Sequence, residues 1–127
     1  MTSSIVIASI AEERLDDWRA FHAELTGSRR GAWTESQHRR GVTRESIFFW
    51  SGPSGPMAVY LVEGREAGAA MDSLGSSEDS FDVWLRRSLA DLHDDLDFPV
   101  QLSDTRPPPG AWRGWRGMLS PRGAPPR

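Results

Sequence analysis

Residues 41–63 read GVTRESIFFWSGPSGPMAVYLVE, two apolar segments flanking a short Gly/Pro/Ser connection. Aromatic and β-branched runs on either side of such a connection predict a β-hairpin. IFFW (47–50) is continuously apolar and AVYLV (58–62) nearly matches it. Strands that lack polar alternation are usually buried on both faces, so this hairpin needs two covers. The rest of the chain must supply both, or one must come from a second molecule.

Working outward, SIVIAS (4–9) is a short β-branched strand. In AEERLDDWRAFHAELTG (11–27), Leu15, Trp18, His22 and Leu25 recur at three- and four-residue steps, with Phe21 beside them and acids in the first turn. That spacing predicts an amphipathic helix ending near Gly27. SRRGAWTESQHRRG (28–41) predicts a second, weakly packed helix, with Ser28 as N-cap, Trp33 and Gln37 inward and Gly41 just past the end. Beyond the hairpin, 64–80 reads as a small-residue helix or turn and a loop. SFDVWLRRSLADLHDDLD (80–97) then carries the apolar stripe Phe81, Trp84, Leu85, Leu89 and Leu92 behind an N-cap at Ser80. FPVQLSD (98–104) is the candidate for a fourth strand, and the Pro/Gly/Arg-rich residues 105–127 form a tail.

The order β-α-β-β-α-β predicts an α+β, ferredoxin-like split βαβ domain over residues 1–104, a four-stranded antiparallel sheet with helices on one face. The uncovered face should then meet the sheet of an identical chain, giving a symmetric homodimer.

Composition narrows the function classes. At 127 residues the chain fits one domain. The absence of Cys excludes disulfides, thiolate metal sites and a Cys nucleophile. No apolar run nears the roughly 20 residues of a membrane span, and the first ten residues do not read as a signal peptide, so a cytoplasmic protein is expected. All 15 basic residues are Arg, which with the Ala/Gly/Pro bias suggests a high-GC bacterial genome. Residues 1–104 hold all 18 acids against ten Arg, a net −8, while the tail holds five Arg and no acid. An acidic body repels phosphates, which argues against nucleic acid as a partner.

The element order and the stretch RRGAWTESQHRRGVTRESIFFW (29–50) resemble the dimeric α/β-barrel superfamily, which includes antibiotic-biosynthesis monooxygenases and small polyketide-tailoring enzymes. Gly41-Val42 and Glu45-Ser46 in particular are similar to a bacterial family of uncharacterised proteins in which an Arg-rich helix ends in Gly-Val before a strand opening Glu-Ser. The resemblance covers about residues 4–103, with departures at Gln37, usually apolar there, and at Leu85, where many relatives carry a His whose role is not carried over. It implies a dimeric barrel with ligands held between sheet and helices.

Tight pairing of the hairpin sets Trp50 opposite Met57. One face then holds Ser46, Phe48, Trp50, Met57, Val59 and Leu61, and the other Glu45, Ile47, Phe49, Ala58, Tyr60 and Val62. Glu45 and Tyr60 become diagonal neighbours roughly 7–8 Å apart at Cα, facing the helices, with His22 above them. His22 or Glu45 would be a general base, a buried carboxyl being suited to proton transfer, and Tyr60 would stabilise an enolate oxygen. Each has a plainer alternative: a hydrogen-bonded core histidine, an ion pair with Arg44, Arg29 or Arg30, and a core tyrosine. Trp18, Trp33, His38, Phe49 and Trp84 are the candidate substrate contacts, the indoles as flat walls for a planar ligand. His93, in an acidic run at a helix end, reads as a surface residue. No His/Asp/Glu spacing fits a metal, and no Gly-rich loop fits a phosphate or other cofactor. The expected function is that of a cofactor-independent enzyme which cyclises, isomerises or oxygenates a hydrophobic polyketide-like or polycyclic molecule. The alternative is a non-catalytic, dimeric ligand-binding or accessory protein.

Overall fold

A computed structural model describes residues 1–97 and Pro99. The hairpin is its longest element: β2 (Val42–Gly52) and β3 (Gly55–Gly64) pair antiparallel with Trp50 opposite Met57, the register that tight pairing implies. The connection is Pro53-Ser54, and Gly55 takes φ 102°, a conformation open to glycine at little cost. Near its start β2 carries one extra residue. Val42 faces Gly64 and Arg44 faces Glu63, leaving Thr43 between them with its hydroxyl on the Glu63 carbonyl.

β1 (Thr2–Ser9) lies on the other side of β3, and a two-residue β4 (Leu96–Asp97) adds to β1, giving the order β2-β3-β1-β4 with every pair antiparallel. This short strand lies just before 98–104, where a fourth strand is expected. It forms where the chain leaves Asp95, whose carbonyl accepts from Ser9 N. Residues 98–104, Pro99 apart, and the tail lie outside the described residues. Four helices fill the crossovers: α1 (Leu15–Thr26), α2 (Arg30–Arg40), α3 (Ala67–Ser76) and α4 (Ser80–Leu92). Over the described residues the result is an α+β fold of four antiparallel strands and four α-helices in split βαβ order. Among the described residues no helix is long and apolar enough to cross a membrane.

The helix ends correct two expected caps. Asp79, not Ser80, caps α4: its extended backbone lets Oδ1 accept from Phe81 N at 3.0 Å and Asp82 N at 3.4 Å. At α2 the cap position is Arg29, which makes no side-chain cap bond. The backbone there runs almost directly out of α1, Arg29 N bonding Glu24 O and Arg30 N bonding Gly27 O, so Ser28 is not needed as a cap. The far end of α2 closes as expected on Gly41, at φ 71°.

The core lies on one side of the sheet. Val6, Ala8, Ala58, Tyr60 and Val62 point inward and are buried, and Trp18, Phe21, Leu25, Leu74, Phe81, Leu85 and Leu92 descend from α1, α3 and α4. Each buried Val, Leu or Phe among them contributes about 1.5–3 kcal/mol. α2 differs from expectation: its buried positions are Ser36 and Arg40, with Trp33 and Gln37 half-buried. The opposite face of the sheet is apolar and open. Phe48 is 54%, Trp50 58% and Ile5 38% exposed, and Met57, Val59 and Leu61 are half-buried beside them.

Candidate functional site

The space between the inner sheet face and the helices is not completely filled. Val6, Ile47, Tyr60 and Val62 floor a cavity that Leu25, Trp33, Met71, Leu74, Leu85 and Leu89 roof, with Arg40, Glu45 and Leu96 completing its wall. The centre of a water-sized sphere can range over about 70 Å³ of it. That is about half of the ~150 Å³ that accommodates benzene in an engineered core. An open groove beside α3 and α4 has a volume of about 650 Å³ and shares Met71, Leu74, Leu89 and Leu96 with the cavity. These four side chains therefore stand between the inner space and a larger outer one.

Two polar networks border the cavity. The first is centred on Tyr60. Trp18 Nε1–H donates to Tyr60 Oη at 3.0 Å, Tyr60 Oη lies 2.8 Å from His93 Nε2, and His93 Nδ1 lies 3.0 Å from the Ser9 carbonyl. An indole only donates and a carbonyl only accepts. Hence Nδ1 carries the proton of a neutral His93, Nε2 is bare, and Tyr60 donates to it. Burial holds His93 below its ordinary pKa, against the opposing pull of the Ser9 carbonyl and Asp94. Burial also pushes Tyr60 up to about 12, partly offset by the Trp18 bond, so the phenol keeps its proton at neutral pH. His93 is only 7% exposed, which overturns its reading as a surface residue. The chain turns back against β1 directly after α4, with Asp94 N on the Ser9 carbonyl and Asp95 N on the Ser9 hydroxyl, and that turn carries His93 inward.

The second network is charged. Arg40, its side chain 2% exposed, pairs through Nη2 with Glu45 Oε1 at 2.8 Å and donates from Nε to Ser36 Oγ at 3.0 Å. Ser36 in turn donates to Asp82, which also accepts from Ser77 at 2.6 Å and from Arg39 at 3.2 Å. Burial alone would raise the Asp82 pKa, but the bonds from Ser36, Ser77 and Arg39 outweigh it and hold the carboxyl below the ordinary range. Glu45 therefore sits in an ion pair, and with Arg40 rather than with Arg44, Arg29 or Arg30.

The structure brings together only part of the anticipated site. Glu45, Tyr60 and Trp33 line the cavity, and Trp18 holds the Tyr60 hydroxyl. His22 does not join them: its ring stacks on Trp18, centroids 5.5 Å apart, and it is not among the lining residues. Phe49 covers the other parts of that cluster, 5.6 Å from the Trp18 ring with the Arg19 guanidinium above it, and is 41% exposed. Trp84 packs between Phe21 and Phe81 under Arg29 and borders a shallow groove between α1 and α4. His38 lies on an open groove between the end of α2 and α3, with Arg39, Arg65 and Glu66. Arg40, Ser36, Asp82 and His93 are the polar residues that sequence reasoning missed. Arg40 and Ser36 share a helix face with Trp33, a spacing visible in the sequence. Trp33 Nε1 is buried, and no described residue accepts its proton. Among the described residues no three His, Asp or Glu side chains converge as a metal set.

No family model and no curated protein matches the chain. Among solved structures, Rv0793 from Mycobacterium tuberculosis is similar to it over 82% of this chain and 97% of that one, at 15% identity and a TM-score of 0.48.

Proposed function

We propose that this protein binds a hydrophobic small molecule between its sheet and its helices. The reading rests on one observation: an internal space walled by Leu, Ile, Val and Met, with a few polar groups at its border. A ligand larger than the cavity would enter past Met71 and Leu89, joining the inner space to the groove outside, and methionine's flexible side chain suits a movable partition.

Whether turnover follows binding depends on those polar groups, and their bonding favours the non-catalytic alternative. The Tyr60 proton is committed to His93, Glu45 is committed to Arg40, and His22 stands outside the cavity. The enzymatic reading, a cofactor-independent cyclisation, isomerisation or oxygenation of a polyketide-like molecule, keeps one support: Glu45 and Tyr60 share a wall of the ligand space. In that reading Glu45 takes a proton and Tyr60 steadies the resulting enolate. Filling the cavity with Leu85→Phe and titrating a panel of neutral hydrophobic compounds by calorimetry tests binding. Ligands that bind the parent should no longer bind the variant; unchanged affinity would place the ligand elsewhere.

The same reading includes a homodimer closed through the outer sheet faces into a dimeric barrel. Exposed Phe48 and Trp50 support it, since an apolar patch of this kind usually marks an interface. Light scattering should give twice the chain mass, and Phe48→Glu with Trp50→Glu should give the monomer. A monomeric parent chain would remove the barrel from the proposal.

A further inference from the structure

Resting on the reading of the cavity as a ligand site, we propose that the ligand is a neutral carbonyl compound whose oxygen accepts a hydrogen bond from Trp33 Nε1. The other polar groups on the cavity wall are already engaged. Tyr60 donates to His93 and accepts from Trp18, and Arg40 and Glu45 hold each other. Trp33 lines the same space, and its indole N–H is buried with no acceptor among the described residues. Buried donors are nearly always paired, and an indole N–H can only donate, so its complement is an acceptor.

The surroundings narrow the acceptor. An anionic ligand would bring its charge to a wall whose one lining cation, Arg40, is already paired with the Glu45 carboxylate and whose remainder is mostly apolar, with little to offset desolvation. An alcohol or amine would bring a donor in need of a partner of its own. A ketone, quinone or lactone oxygen brings only acceptor capacity, and its hydrocarbon frame matches the Leu, Ile, Val and Met walls.

The test titrates the full chain with two isosteric pairs in which C=O replaces C=CH₂: cyclopentanone with methylenecyclopentane, and acetophenone with α-methylstyrene. Affinity is read by calorimetry, and the Trp33 Nε1–H resonance is followed by ¹⁵N NMR. The ketones should bind about tenfold tighter than their hydrocarbon partners, the worth of one hydrogen bond to an unpaired donor, and should move that resonance. Trp33→Phe should bring each pair to equal affinity; if that variant fails to fold, the resonance in the parent chain decides. Equal binding within a pair, with the resonance unmoved, overturns the carbonyl anchor but leaves the cavity as a ligand site. Binding by neither member of either pair overturns the cavity reading and the anchor with it.

Discussion

The two polar networks beside the cavity solve the same problem in opposite ways. Around Tyr60, three side chains and a carbonyl are satisfied with no net charge, each donor meeting one acceptor. Around Arg40, two Arg and two carboxylates are held by each other and by two serines. A neutral relay costs little to bury but depends on one tautomer. A charged cluster tolerates pH changes near neutrality but fails badly when one member is removed, because the remaining charge is stranded.

The largest expected effect follows from that last point. Arg40→Met leaves Glu45 buried without its cation and should cost about 3–5 kcal/mol in urea unfolding. The paired change Arg40→Met with Glu45→Leu should recover most of the loss, and a single variant as stable as the parent would show that the cluster is not the cohesive unit described. Next comes Tyr60→Phe. It keeps the ring and orphans Trp18 Nε1–H and His93 Nε2, for an expected loss of about 1–3 kcal/mol. A neutral result would mean that the relay contributes little beyond packing.

The smallest effect separates the networks by pH. The folded-state pKa of His93 lies below its ordinary value, so the unfolded chain binds the proton first as pH falls. Its contribution is complete above about pH 6.5 and is lost progressively below it, as pH falls toward the folded value. Asp82, with a lowered pKa, contributes above the ordinary carboxylate range and loses its part only in stronger acid. Two separate limbs should appear in a plot of unfolding free energy against pH, and His93→Gln should remove only the one nearer neutrality. A single limb that His93→Gln does not alter would show that the relay does not titrate as described.

The hairpin was legible because its information is local. Tight pairing across the Gly/Pro/Ser connection sets Trp50 opposite Met57, and the structure adopts that register, with Glu45 and Tyr60 on the helix side. α1 and α4 were legible from their apolar spacing. α2 was not, because its inward face is Ser36 and Arg40, and a polar inward face leaves no hydrophobic period to read. His93 was hidden for a different reason. Its neighbours in sequence are acids, and only the non-local contact of the following turn with Ser9 encloses it. With His93 in place beside Tyr60, the partner expected from His22 is supplied from the end of α4.

The extra residue at Thr43 acts on β2 as a frameshift acts on a message. Val42 and Glu45 are three positions apart, and in an uninterrupted strand they would point to opposite faces. Because Thr43 takes up one position without a partner, Val42 packs inward against Gly64 while Glu45, beyond it, also points inward to Arg40. If Thr43 instead took a regular place in the ladder, the strand would have to choose which half to read correctly. Keeping Val42 in the core would expel Glu45 and Ile47 to the outer surface and turn Phe48 and Trp50 inward. Setting this one residue outside the ladder thus keeps the two halves of the strand in phase.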